Sequence, residues 1–167
     1  MLRLRNILLS LCVLIIAVTT AMAQHDVSIE GVTRVSHLST SGMNLWVEVD
    51  NGRSSALVVK SATVDVMADG RHLVTISLRD KVVVPRKARG EVLLPLRFRS
   101  RSSFVLSSLL RRIAEGDTDG LTLSYSIKAG NRLVKSRIEA EYVALNDIFR
   151  AFDMSRNLIM ELEQFIE

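Results

Sequence analysis

The side chains best equipped for chemistry are few and scattered. His25, His37 and His72 are the only histidines. None has a second imidazole one helical turn away or a glutamate placed as in a metalloprotease helix, so the spacing of a zinc site is missing. His25 falls in what reads as a loose lead-in. His72 shares the parity of Val74, Ile76 and Leu78 and reads as a structural, inward-facing residue. Glu115-Gly116-Asp117-Thr118-Asp119-Gly120 has the look of a calcium loop, yet such a loop closes on a bidentate acid. Ser126 stands where that acid is needed, and the next carboxylate is Glu139. The segment reads instead as a helix stop followed by a turn. The chain has no nucleophile elbow, phosphate-cradling loop or dinucleotide fingerprint. Its single cysteine is Cys12. The expectation is a protein that is not an enzyme and carries neither metal nor cofactor.

Binding chemistry is better represented. Arg86, Lys87 and Arg89 form one basic cluster, and Arg97, Arg99 and Arg101 alternate along another stretch. The second group reads in two ways: as a cationic stripe for anionic headgroups or envelope polysaccharide, or as a solvated edge guarded against aggregation. Leu106, Leu109, Leu110 and Ile113 lie at helical spacing and form a candidate surface for an apolar ligand. Trp46 shares the polar parity of Asn44, Glu48 and Asp50. It reads either as a partner contact or as covered by a C-terminal helix whose stripe includes Phe149, Phe152, Ile159 and Leu162.

The elements that hold these residues are mostly strands. Met43, Leu45, Val47 and Val49 alternate with polar neighbours, as do Ala62, Val64 and Val66, then Val74, Ile76 and Leu78, then Val92, Leu94, Leu96 and Phe98. That period of two marks half-buried strands. Asp69-Gly70 reads as a tight hairpin turn. Leu121 to Ile127 and Val134 to Tyr142 add a closing pair joined through Ala129-Gly130-Asn131. Val27 to Leu38 reads as a first strand whose alternation slips after Gly31, the mark of a bulge. Pro95 cannot donate to a ladder, which predicts an edge strand or a bulge there. One helix spans Ser102 to Glu115, with Ser102 or Ser103 as its cap. From Leu145 to Ile166 the period changes to that of an amphipathic helix. Strands at this spacing, with no βαβ rhythm, predict an antiparallel β-sandwich with one inserted helix.

The chain begins with a leader. Arg3 and Arg5 precede an apolar run from Ile7 to Val18, and Ala21-Met22-Ala23 places small residues before Gln24. This reads as a secretory signal peptide over residues 1–23, with the sandwich over 24–143 and the C-terminal helix over 144–167. The alternative is an uncleaved anchor. The expected location is periplasmic or otherwise at the cell envelope, where nucleic acid is not a partner. The chain carries 22 Lys and Arg against 18 Asp and Glu, and two of those arginines lie in the leader, so the remainder is nearly balanced. With Cys12 in the leader, the exported part has no disulfide and depends on its core.

Leu45-Trp46-Val47-Glu48-Val49-Asp50-Asn51, the strand pair around Asp69-Gly70, the Pro85 connection and Val92-Leu93-Leu94-Pro95-Leu96 occur in an order that resembles the late-embryogenesis-abundant type 2 family, which includes the water-stress and hypersensitive-response domain. The resemblance spans Val27 to Tyr142. It implies an immunoglobulin/fibronectin-like sandwich without catalysis, linked to stress tolerance and lipid handling. Asn51-Gly52 and the long C-terminal helix depart from the family pattern. The functional expectation is an exported envelope protein that binds a lipid-like, amphipathic ligand or shields envelope components under stress. The alternative is an assembly module that pairs with a protein partner or with itself through its C-terminal helix.

Overall fold

A computed structural model describes residues 22, 25–114 and 117–147. The strands are β1 (Val27–Ser39), β2 (Gly42–Asn51), β3 (Leu57–Ala68), β4 (Arg71–Leu78), β5 (Val82–Val84), β6 (Ala88–Ser100), β7 (Leu121–Gly130) and β8 (Lys135–Ala144). The helix α1 (Ser103–Ala114) lies between β6 and β7. All pairings are antiparallel, and the strands form one sheet in the order β1-β2-β6-β4-β3-β7-β8, with β5 also paired to β3.

Two strands change partners along their length. Residues Ala88 to Arg97 of β6 run along β2, and Leu96 to Ser100 run along β4. In β3, Leu57 to Val59 pair with β5 and Thr63 to Ala68 with β4, while β7 lines the opposite edge. The sheet curls over one face, and the alternating apolar residues of β2, β3, β4, β6 and β7 meet there in a single core cluster. Val47, Val59, Val64, Val74, Leu96, Leu123 and Ile127 are fully enclosed. Each buried aliphatic side chain of this kind contributes about 1.5–3 kcal/mol, which a chain without disulfides requires. Met22 is also fully buried, and its carbonyl accepts from the His25 amide at 2.9 Å. Cleavage after Ala23 would remove this side chain from the core.

The hairpin turn at Asp69-Gly70 forms as the sequence predicts, with φ of 50° and 79° at the two residues. Positive φ at both centres matches the twist of the flanking strands. The slip in β1 is present too, as register shifts after Ile29, Val32 and Ser36. Pro95 carries no bulge, since it faces Asn44 in unbroken β2–β6 register, but it does sit at a local edge: the pairing of β6 with β4 covers Leu96 to Ser100 and stops short of it. Its carbonyl points away from β2 and accepts from the Arg79 amide at 2.8 Å, just where β4 ends. In an antiparallel strand a residue's nitrogen faces the same way as its carbonyl, so the missing N–H of Pro95 falls where no ladder needs it.

Strand direction sorts the loops into two ends. At one end lie the β1–β2 and β3–β4 turns, α1 and the Asp117–Gly120 turn, joined by a 3.0 Å bond from the Asp69 amide to the Gly120 carbonyl. The other end holds His25, the β2–β3 loop, the β5–β6 loop and the β7–β8 tip.

Candidate functional site: the basic end of the sheet

At this second end no Asp or Glu occurs between Asn51 and Leu57, between Val82 and Gly90, or between Lys128 and Ile138. The same stretches carry Arg53, Arg86, Lys87, Arg132 and Lys135, all exposed. The sheet topology makes neighbours of loops far apart in the chain, so their charges reinforce one another. Among the described residues, the acids paired with the cations of this end are Asp26 with Arg53, Glu48 with Arg89 and Glu139 with Arg137.

Asn51 knits the loops together. It is fully buried, and its Nδ2 donates to the carbonyls of Ser55 at 3.2 Å and Pro85 at 3.1 Å, with a longer contact to Val84 at 3.5 Å. Its Oδ1 accepts from the Arg53 amide at 3.2 Å. The Lys87 amide donates to the Arg53 carbonyl at 3.0 Å, and Asn131 Nδ2 donates to Ser55 Oγ at 3.2 Å. The β2–β3, β5–β6 and β7–β8 loops therefore form one hydrogen-bonded platform. An asparagine closing β2 was legible in the sequence, and its role as the tie between loops was not.

The platform is sealed by the residues just before β1. His25 was expected in a loose lead-in, but it is only 7% exposed. Its Nε2 lies 2.7 Å from Ser136 Oγ, and Arg53 Nη1 donates to its carbonyl at 3.1 Å. This contact ties the turn before β1 to the outer strand β8 through side chains. A shallow surface dimple, partly open to solvent, lies between His25, Val27, Asn51, Arg53, Ser55 and Asn131.

The other candidates lie elsewhere. Leu106 and Leu109 belong to the core, at 5% and 1% exposure, where α1 packs on β4 and β6. The side chains of Leu110 and Ile113 lie outside the described residues. Ser102 caps α1 as read, accepting from the Val105 amide at 3.2 Å. Arg97 and Arg99 stand exposed on the outer face of β6, opposite Ser77 and Thr75 of β4, and Arg101 follows the strand. They lie toward the α1 end, away from the basic loops. Trp46 is half-buried on the outer face between Arg34 of β1 and Leu93 of β6. The Arg34 guanidinium sits 4.4 Å from the ring centroid, a cation–π contact. Phe149, Phe152, Ile159 and Leu162 lie outside the described residues.

One histidine cluster escaped the sequence reading. His72 faces outward, because a register shift between Val66 and Met67 moves it off the parity of Val74. Its Nε2 lies 2.7 Å from Thr75 Oγ1 and 3.3 Å from Asp65 Oδ1, and the Thr75 hydroxyl donates to Asp65 at 2.5 Å. A hydrolytic relay needs the carboxylate on the ring nitrogen that does not face the hydroxyl. Here both partners share one nitrogen, and the hydroxyl proton is already engaged by the acid. At the turn after α1, Arg112 Nε donates to Asp117 at 3.1 Å and Nη2 to the Asp119 carbonyl at 2.8 Å. An arginine therefore occupies the carboxylate that a cation would need.

No family model matches the chain, and no curated protein does. Among solved structures, it is similar to a protein from Archaeoglobus fulgidus at 17% identity and a TM-score of 0.37, over 70% of this chain and 97% of that one. It is also similar to the yeast GGA1 GAE domain at 10% identity and a TM-score of 0.25, over 68% of this chain and 85% of that one.

Proposed function

We propose that the chain is a non-catalytic, exported binding module that holds anionic amphiphiles at the basic end of its sheet. In this reading the curled sheet is a sandwich of the immunoglobulin/fibronectin type, as in the late-embryogenesis-abundant type 2 proteins, and it works at the cell envelope. The observation that carries the proposal is the platform of three carboxylate-free loops, preorganised by Asn51, with Arg53, Arg86, Lys87 and Arg132 on its surface. Guanidinium and ammonium donors carried on hydrogen-bonded loops suit a phosphate or carboxylate headgroup. The burial of Leu106 and Leu109 in the core favours a ligand held at the loops over one admitted beneath α1. The geometry of His72, Thr75 and Asp65 supports the non-catalytic part.

The test is a titration of the chain with monomeric lysophosphatidylglycerol, followed by amide NMR. Shifts are expected at residues 53–55, 86–87 and 131–135. Shifts confined to α1, or none at all, would sink the proposal.

A further inference from the structure

The β7–β8 tip breaks the usual rule for an exposed turn. Leu133 is 93% exposed and Val134 54% exposed, the most solvent-accessible apolar pair at the basic end. Arg132 and Lys135 flank them directly. Lys128 and Arg137, cross-strand partners at the base of the same hairpin, are exposed as well. A solvated turn gains nothing from a protruding leucine.

The tip is also stiff. The Asn131 amide donates to the Val134 carbonyl at 2.8 Å, and Asn131 Oδ1 accepts from the amides of Leu133 and Val134 at 2.8 and 2.7 Å. Gly130 permits this closeness, since a Cβ there would lie 2.3 Å from the Val134 carbonyl oxygen. The backbone amides of Asn131, Leu133 and Val134 are therefore satisfied internally, as a segment entering an apolar phase requires. Leu133 is held outward on a frame already tied to the β2–β3 loop by Asn131 and Ser55.

We propose that this tip is a membrane wedge: Leu133 and Val134 enter the acyl boundary of a bilayer carrying anionic headgroups, while Arg132, Lys135 and Lys128 lie at headgroup level. The inference rests on the proposed function and names its ligand class as a lipid surface. Charge complementarity argues for that occupant, because the cations ring the apolar pair instead of covering it.

The test uses the full chain with Cys12→Ser and Val134→Cys, carrying an environment-sensitive fluorophore at position 134. It is mixed with vesicles of equal parts phosphatidylglycerol and phosphatidylcholine, or of phosphatidylcholine alone. A several-fold rise in emission is expected with the anionic vesicles only. Lys128→Gln with Lys135→Gln should weaken this response roughly tenfold or more, since each surface cation contributes about fivefold. Leu133→Ser should weaken it by about tenfold with the fold intact. A fluorophore at Thr40→Cys, in the β1–β2 turn at the opposite end, should stay silent. The inference is overturned by a silent label at position 134 on vesicles that sediment the chain, by an equal response to phosphatidylcholine, or by a response that survives Leu133→Ser. If the lysolipid shifts persist in those cases, only the wedge fails; if they are missing too, the proposed function fails with it.

Discussion

Removing the fully enclosed Asn51 side chain leaves the part-buried Ser55 and Pro85 carbonyls and Arg53 amide without their partner. Loss of buried partners of this kind costs about 1–3 kcal/mol, so Asn51→Ala should lower the urea midpoint by about 2 kcal/mol equivalent with an unchanged slope. Asn51→Asp should be worse, because a carboxylate would face carbonyl oxygens. An unchanged midpoint in Asn51→Ala would show that the loops hold together without it. At this scale the sequence is uneven. Asp69-Gly70 announced its turn because two adjacent residues suffice to specify it. His72 and His25 were misplaced because a bulge reversed the side of one, and a contact with Ser136, 111 residues away, buried the other. Neither cause leaves a local mark.

Helix α1 is the element whose reading transferred most directly. Its apolar spacing gave its bounds to within a residue, and Ser102 caps it as its type suggests. The structure adds that Leu106 and Leu109 are core residues whereas Phe104 is 75% exposed. Leu109→Ala should therefore cost about 3 kcal/mol, and Phe104→Ser less than about 0.5 kcal/mol, both read from urea unfolding. Comparable losses in the two variants would mean that α1 does not pack by this face. Among the strands, alternation exposed which residues face the core. It could not show that β6 leaves β2 for β4, or that β3 leaves β5 for β4. Pairing is decided between segments, and Pro95 marked the boundary of β4 in a way that looked like an edge.

Across the whole molecule, protection should follow the sheet order. β3 and β7 share one of the two longest pairings, whereas β1 is an outer strand interrupted by three register shifts. Native-state hydrogen exchange should find the amides of Val64, Val66 and Leu123 opening only with global unfolding, and those of β1 at least about tenfold faster. Uniform protection through β1 would contradict this order. The concentration of cations at one end is also a whole-molecule property. Arg86, Lys87 and Arg89 were visible as a cluster, but Arg53, Arg132 and Lys135 join them only through the topology. A nearly balanced chain thereby acquires a polar charge distribution that its composition does not reveal.

The His25–Ser136 contact has a bearing on how the molecule comes into being. Synthesis proceeds from the N-terminus, so residue 25 emerges long before residue 136 exists. β1 and β2 can form their hairpin early, but the far edge of β3 stays bare until β7 is made, and the seal at His25 waits for β8. Assembly in which distant segments must meet is slow. A newly made chain therefore spends an interval with its interior open, and a chaperone that bound β3 during that time would be displaced by the arrival of β7.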